Sequence, residues 1–391
     1  MVSLRPRSET VNLRGITGSE QAGLSVRTLP FPGEPERLPN GSVDSSAIHR
    51  VALALHSLHL RFQPKRFRPA WWLRGAHLQT LGGRYLRPRT RAPLERIHFD
   101  TPDGDFLHLD VGADPGPGAP IVLVLHGLEG STGRAYMRLA MSEVARRGLR
   151  PVGMNFRGCS GEMNRLPRFY HSGDTADLAL VLDYLHARFP GRAIGAIGFS
   201  LGGNVLLRFL GEREASVPGH LAGAAAISVP FDLAAGSGML EATPMGRLYA
   251  RYFLKSLKRK IQAKREVLDP ILDLDRVLSA VTLREFDEVA TAPLHGFGGA
   301  DEYYREASSG PVVERVRVPT LVLHALDDPF LPPESIPRTA IERNPWIVAA
   351  LPRHGGHVGF VSGQPGMKWF WAESEAARYL EEVLADCRAG P

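Results

Sequence analysis

The sequence predicts an α/β fold in which a mainly parallel central sheet is flanked by helices. From residue 94 onward, short apolar runs alternate with segments of helical periodicity, which is the pattern of parallel strands joined by crossover helices. Three of these runs end in glycine-rich turns, at residues 126–131, 156–161 and 198–202. Because the functional residues of such sheets lie in the loops after the strands, these turns indicate where the site should be.

The composition is that of a globular protein. The 391-residue chain is 43% hydrophobic and 23% charged, and its net charge of +6 is weak evidence for nucleic-acid binding. Two cysteines, Cys159 and Cys387, make neither a disulfide framework nor a metal cage. No run approaches the roughly 18 apolar residues of a membrane span, and the basic amino terminus has no apolar core behind it. We therefore expect a cytoplasmic protein, with peripheral membrane contact as an open alternative.

The first part of the chain differs from the rest. Residues 1–48 are rich in Gly, Pro, Ser and Arg without periodicity, which predicts a disordered extension. Residues 49–93 form a predicted helical and aromatic arm, in which 62–74 is strongly basic. Residues 49–74 could contact a membrane surface or pack their rings on the main domain. We favour packing, because one short helix binds membranes only weakly.

The main domain, residues 94–391, begins with a predicted hairpin whose strands flank the turn at 102–105. Alternation of apolar and polar residues on each side of this turn predicts strands at 94–99 and 106–111. Continuous apolar runs predict the strands that follow, at 121–125, 151–155, 193–197, 222–229, 319–324 and 346–351. Helical periodicity predicts helices at 136–147, 174–189, 205–210 and 369–384.

Residues 231–310 interrupt this rhythm and predict a helical cap inserted over the strand ends. A helix at 254–265 sets a cationic face against Leu254, Leu257 and Ile261. We interpret that face as solvated, in preference to a contact with anionic lipid. Its cations are Lys255, Lys258, Arg259, Lys260, Lys264 and Arg265.

Residues 198–202, Gly-Phe-Ser-Leu-Gly, match the G-x-S-x-G nucleophile elbow between a strand and a helix. A serine on so sharp a turn is strained, and side chains at Gly198 and Gly202 would collide with the neighbouring strand and helix. The pattern therefore predicts Ser200 as a nucleophile.

A serine nucleophile needs a histidine base, and the histidine needs a carboxylate to hold its tautomer. In this architecture the acid follows a later strand and the histidine follows the last one. We predict Asp328 as the acid and His357 as the base, with Asp327 and His354 as alternatives. A metal site on these residues is a weaker interpretation, because two histidines three apart on a glycine loop are a poor ligand signature.

The attack would create an oxyanion, which requires hydrogen-bond donors already in place. We predict the backbone N–H of Leu201, at the start of the elbow helix, and that of Leu128, in the loop after the 121–125 strand. Gly127 would let that loop turn inward. His126 is interpreted as a residue that braces the loop.

These motifs resemble the YheT-like branch of the α/β-hydrolases, related to eukaryotic abhydrolase-domain lipases and yeast medium-chain ester synthases, and the resemblance spans roughly residues 60–385. It implies serine carboxylesterase or acylglycerol-lipase activity without metal or organic cofactor. Arg157, Cys159 and His171 match family-typical positions, for which we favour structural roles. The segments that carry the resemblance are Trp71–Thr80, His126–Ser131, Asn155–Gly161, Tyr170–Gly173, Gly198–Asn204, Asp327–Phe330 and Gly355–Phe360.

We therefore predict a serine hydrolase that cleaves short- to medium-chain acyl esters or acylglycerols through an acyl-enzyme on Ser200. The alternatives are an alcohol acyltransferase with the same acyl-enzyme and a catalytically silent binding protein. A small-molecule ester or lipid is the expected partner, and no motif indicates nucleic acid. We expect the acyl pocket to be lined by cap residues such as Met239, Leu240, Phe253, Phe297, Tyr303 and Tyr304.

Overall fold

A computed structural model describes residues 62–90 and 92–385. The prediction for residues 1–48 lies outside these residues, and so does the helix predicted at 49–62 except for its last residue, Phe62. In the described chain, eight strands form one sheet in the order β1-β2-β4-β3-β5-β6-β7-β8. The strands are β1 (Glu95–Asp100), β2 (Phe106–Val111), β3 (Ile121–Leu125), β4 (Arg150–Asn155), β5 (Ile194–Phe199), β6 (Leu221–Ile227), β7 (Thr320–Leu323) and β8 (Ile347–Ala350).

The sheet is parallel from β4 to β8, whereas β1 and β2 pair antiparallel with each other and β2 pairs antiparallel with β4. The register places Leu125 beside Gly198, Phe199 beside Ile227, and Leu323 beside both Ile227 and Ala350. The carboxyl ends of the parallel strands therefore share one edge, and the loops that follow them meet there. The predicted fold class is confirmed.

Helices cover both faces of the sheet because alternate strand residues point to opposite sides. Leu123 and Leu125 belong to one core cluster, whereas Val122 and Val124 belong to the other. The first face packs against Thr175–Arg188 (α3) and Leu201–Arg213 (α4), and the second packs against Ala135–Arg146 (α2) and Trp371–Ala385 (α13). The helices outside the cap are α1 (Ala76–Tyr85), α2 (Ala135–Arg146), α3 (Thr175–Arg188), α4 (Leu201–Arg213), α12 (Arg338–Arg343) and α13 (Trp371–Ala385).

The described residues between β6 and β7 form helices and turns and contain no strand, as the sequence predicts for 231–310. The cationic helix, α6 (Pro244–Ala263), begins earlier than predicted, because Thr243 accepts a hydrogen bond from the Gly246 N–H and Pro244 starts the first turn. The cap contains α5 (Leu233–Ala242), α6 (Pro244–Ala263), α7 (Arg265–Leu268), α8 (Leu274–Ser279), α9 (Leu283–Phe286), a π-helical turn (Asp287–Thr291), α10 (Ala292–Leu294) and α11 (Ala300–Ala307).

A second, two-stranded sheet precedes α13 and corrects the predicted start of that helix at residue 369. Strands β9 (Val361–Gln364) and β10 (Met367–Phe370) form an antiparallel hairpin, so the helix begins at Trp371. Among the described residues, no helix is long and apolar enough to cross a bilayer.

In the described part of the basic, aromatic segment, Phe62 and Phe67 pack on the main domain, whereas Trp71 is 66% exposed. Phe62 and Phe67 are buried, and Phe62 meets Tyr379 of α13 edge to face with ring centres 4.9 Å apart. The indole of Trp371 donates to the carbonyl of Lys65 at 2.9 Å.

Candidate active site

Ser200 lies between β5 and α4, at the edge where the loops meet. Its backbone is left-handed (φ 51°), a strained conformation for a residue with a side chain. A Cβ atom at Gly198 would lie 2.5 Å from the carbonyl oxygen of Gly202, and one at Gly202 would lie 2.6 Å from that of His126. The backbone therefore approaches itself too closely for any residue larger than glycine at either position.

The structure brings Ser200, His357 and Asp328 together. His357 Nε2 lies 2.9 Å from Ser200 Oγ, and its Nδ1 lies 2.8 Å from Asp328 Oδ2. The other carboxylate oxygen of Asp328 accepts the Phe330 N–H at 2.9 Å, and the Phe330 ring stacks on the imidazole with 4.3 Å between centres. Asp328 is buried, so its orientation is held by packing as well as by hydrogen bonds.

Asp327 and His354, the two alternatives, pair with each other instead. His354 Nδ1 lies 3.2 Å from Asp327 Oδ2, and the His354 side chain is 61% exposed. The other oxygen of Asp327 accepts the Gly356 N–H at 2.9 Å. This second pair ties the two loops together beside the first.

The loop after β3 lies against Ser200, since a Cβ atom at Gly127 would be 3.1 Å from Ser200 Cβ. In this loop the N–H groups of Gly127, Glu129 and Gly130 donate to Tyr136 Oη, Tyr170 Oη and the Gly127 carbonyl. Within the described chain, neither the N–H of Leu128 nor that of Leu201 has an acceptor. These two donors, at the positions predicted for the oxyanion hole, remain available to a ligand.

A cavity of about 1470 Å³ opens above these residues, and its lining includes Leu128, Ser200, Leu201 and His357. The cap supplies most of its apolar wall. Of the six cap residues predicted to line a pocket, four do so: Leu240, Phe253, Tyr303 and Tyr304.

The other two cap residues, Met239 and Phe297, are not in the cavity wall. Phe297 instead packs behind it, with its ring 5.4 Å from His171 and 5.3 Å from Tyr303.

Comparison with known proteins identifies the family of this chain. A sequence profile of the family described as the alpha/beta hydrolase fold matches residues 120–363. The chain is 37% identical to the candidate esterase YheT of Escherichia coli over 324 residues, which are 81% of this chain and 94% of that protein. The chain belongs to the α/β-hydrolase family.

Other relatives of this hydrolase carry lipid-directed names. This chain is 32% identical to the mouse phospholipase ABHD3, over 78% of this chain and 75% of that protein. It is 30% identical to the monoacylglycerol lipase of Saccharomyces cerevisiae, over 70% of this chain and 61% of that protein. The Pyrococcus furiosus esterase Pf2001 has the same fold, with a TM-score of 0.50 at 18% identity over 74% of this chain and 90% of that one. The predicted class, an ester hydrolase of the YheT-like branch, is confirmed.

His126 braces the loop after β3, in keeping with its interpretation from sequence. Its Nε2 accepts the Phe156 N–H at 3.2 Å, so its Nδ1 carries the proton and donates to the Gly127 carbonyl at 2.8 Å. Burial lowers the pKa of His126 to about 3, which keeps the ring neutral.

Sequence reasoning missed Glu129, which follows Leu128 in the same loop. Glu129 has a left-handed backbone (φ 52°) and a side chain only 1% exposed. Its carboxylate accepts from Tyr170 Oη at 3.0 Å and from two residues of α6, Lys260 Nζ at 2.7 Å and Ser256 Oγ at 2.5 Å. The cap is therefore fastened to the loop that carries the Leu128 N–H. The available signal was an acid inside a glycine loop.

Lys260 and Lys264 correct the interpretation of the cationic face as wholly solvated. Lys260 Nζ also lies 3.0 Å from the buried Cys159 Sγ, and Lys264 is buried with its Nζ 3.0 Å from Asn164 Oδ1. Burial lowers the pKa of Lys264 to about 8.

The role of α1 was also missed, although the 71–80 segment was singled out. Thr80 Oγ1 accepts the His357 N–H at 2.9 Å. Gln79 bonds both the N–H and the carbonyl of Val361, at 2.9 and 3.2 Å. A Cβ atom at Gly356 (φ 63°) would lie 2.5 Å from the Ala76 carbonyl oxygen. The helix thus positions the loop that carries His357.

Arg157 and His171 have surroundings that favour structural roles. The Arg157 guanidinium is 2% exposed and pairs with Asp177 at 2.6 Å and Asp105 at 2.9 Å, which joins the loop after β4 to α3 and to the turn before β2. His171 lies in the cavity wall with its ring centre 4.6 Å from that of His295, and burial lowers its pKa to about 3.

Proposed function

We propose that this protein is a serine hydrolase that cleaves carboxylic esters through an acyl-enzyme on Ser200. The observation that carries the proposal is the continuous hydrogen-bonded chain from Asp328 through His357 to Ser200. An imidazole held in this way can take the serine proton while the buried carboxylate fixes its tautomer.

In the proposed mechanism, Ser200 Oγ attacks the ester carbonyl carbon as His357 Nε2 takes the hydroxyl proton. The N–H groups of Leu128 and Leu201 donate to the resulting oxyanion. When the carbon–oxygen ester bond breaks, His357 returns the proton to the departing alcohol. Water then attacks the acyl-enzyme, assisted by the same imidazole, and releases the acid and free Ser200.

The proposed substrates are short- to medium-chain acyl esters or acylglycerols. Support comes from the size and apolar cap wall of the cavity above Ser200 and from the relatives named phospholipase and monoacylglycerol lipase. A cytoplasmic location and a membrane contact through residues 49–74 stay predictions, and residues 49–61 lie outside the described part of the chain.

The test is labelling by a fluorescent fluorophosphonate, followed by hydrolysis of p-nitrophenyl esters of increasing chain length. Wild-type protein should be labelled and active, Ser200→Ala should be neither, and Ser335→Ala, a partly exposed serine elsewhere, should match the wild type. Folded wild type that neither labels nor hydrolyses any ester would refute the proposal. Added alcohol distinguishes hydrolysis from acyl transfer by the products formed.

A further inference from the structure

Helix α6 presents an outer face of unusual charge. Arg247, Arg251, Lys255 and Arg259 recur at four-residue intervals, so they form one exposed stripe along the helix. The helix contains six cations and no Asp or Glu from residue 244 to residue 263.

These cations are largely without acidic partners. Within the described chain, Lys260 is the one α6 cation in an ion pair with a carboxylate. Arg247, Lys258 and Arg259 instead donate to the backbone carbonyls of Glu241, Leu278 and Lys255. A solvated helix face normally mixes charges of both signs, because like charges at four-residue spacing repel. This stripe therefore has the charge pattern of a surface that meets an anionic partner.

Exposed apolar side chains lie beside the stripe. Leu248 and Tyr252, one turn apart on α6, are 56% and 42% exposed, and Tyr85 at the end of α1 is 71% exposed. Arg84 joins the two helices, since its Nη2 donates to Tyr252 Oη at 2.7 Å. We call Arg84, Tyr85, Leu248 and Tyr252 the rim, because all four also line the cavity that contains Ser200.

We propose that the rim and the cationic stripe of α6 dock this protein on the surface of an anionic lipid bilayer. Tyrosine and leucine side chains enter the headgroup layer while Arg and Lys face anionic lipids, which is how interfacial amphipathic helices bind. Because the apolar rim continues into the cavity, docking there brings the cavity mouth to the lipid. A nucleic acid would account for the stripe but leave the exposed apolar rim unexplained.

The first experiment measures co-sedimentation of the full chain with vesicles, using a Ser200→Ala background so that no lipid is consumed. Binding is expected to vesicles of phosphatidylcholine with 30% phosphatidylglycerol and to fall steeply between about 0.05 and 0.5 M NaCl. Pure phosphatidylcholine vesicles should bind far more weakly.

The triple variant Arg251→Gln/Lys255→Gln/Arg259→Gln tests the stripe without altering the cavity wall. Losing three juxtamembrane cations should lower the affinity for anionic vesicles about 100-fold. The matched control, Arg213→Gln/Arg338→Gln/Arg343→Gln, removes three exposed arginines from α4 and α12 and should bind like the parent. Equal binding by parent and triple variant would overturn the proposal and assign any membrane contact to another segment, such as residues 49–74.

A second measurement tests insertion of the rim. In a Cys387→Ser background, an environment-sensitive nitrobenzoxadiazole dye on Leu248→Cys should shift to the blue with anionic vesicles, whereas the same dye on Arg338→Cys should not. If adding anionic vesicles changed the dye emission equally at both sites, or at neither, docking through the rim would be refuted. If the protein bound a 30-base-pair DNA duplex through the stripe and did not bind vesicles, the proposal would be overturned and the anionic partner would be nucleic acid.

Discussion

The neighbouring residues Asp327 and Asp328 have different partners although both follow β7. The backbone directs Asp328 inward to His357 Nδ1, at 2.8 Å, and Asp327 toward the exposed His354, at 3.2 Å. A carboxylate can hold the imidazole tautomer only from the first of these positions.

Substitution of each aspartate by asparagine separates their roles. Asp328→Asn should lower kcat by about 10⁴-fold, because the amide favours the wrong imidazole tautomer. Asp327→Asn, the matched control, should stay within about tenfold, because the amide can still accept the Gly356 N–H. Steady-state kinetics on one p-nitrophenyl ester measures both, and equal losses in the two variants would contradict the assignment.

At the residue scale, a functional residue could be predicted from sequence where steric constraint leaves a local motif around it. Ser200 is recognisable because Gly198 and Gly202 cannot be larger. The position of Glu129 in a glycine loop is visible in the sequence, but its role is not, because that role depends on Lys260, which is 131 positions away and reaches it only in the folded protein. A pattern along the chain does not encode such a pair.

At the scale of elements, α6 and the loop after β3 act as one unit. Lys260 and Ser256 hold Glu129, and Glu129 follows the residue whose N–H we assign to the oxyanion. Lys260→Met leaves a buried carboxylate without its cation, so the loop should shift. We expect kcat to fall about 100-fold, the size of effect seen when an oxyanion donor is lost, with KM little changed.

The diagnostic measurement is inhibition by a trifluoromethyl ketone, whose adduct with Ser200 carries an oxyanion. Its inhibition constant should rise by the same factor as kcat/KM falls. Lys258→Met is the control, because this neighbouring lysine bonds the Leu278 carbonyl and not Glu129. A loss of activity with unchanged ketone affinity would show that the ion pair does not position the oxyanion loop.

The ends of helices and strands could be predicted where a clear hydrophobic pattern begins or stops. They could not be predicted where the pattern is weak or fits two kinds of element. Each end of the strands from β1 to β8 was predicted to within about two residues of its observed position. The hairpin β9–β10 was missed because its residues Trp369 and Phe370 also fit the apolar pattern of the helix that follows. The start of α6 was missed because its first turns expose Leu248 and Tyr252, which weakens the helical period.

At the scale of the whole molecule, Arg87 joins the segment before the sheet to the last helix. Its guanidinium donates to Glu373 Oε1 of α13 at 2.5 Å and to the carbonyl of Val358, next to His357, at 2.7 Å. The two charged side chains are 2% and 0% exposed. The two residues are 286 positions apart in the sequence, so no local sequence pattern could predict that they pair.

Arg87→Met should destabilise the protein by about 3–5 kcal/mol, because it leaves the Glu373 carboxylate buried without a cation. Burial already raises the pKa of Glu373, and removing Arg87 should raise it further. A folded-state pKa above the unfolded one means that stability is lost as pH rises, so the defect should be larger at pH 8 than at pH 5. Urea unfolding at the two pH values measures this.

Two variants test whether the uncompensated charge is the cause. Arg87→Met/Glu373→Gln should recover much of the lost free energy of unfolding and show no added pH dependence, because no buried carboxylate remains. Arg284→Met breaks an exposed pair with Asp301 and should change the unfolding free energy far less. If the double variant is no more stable than Arg87→Met, charge balance is not the cause. Packing of the arginine stem and its bonds to the loop after His357 would then hold the segment before the sheet against α13.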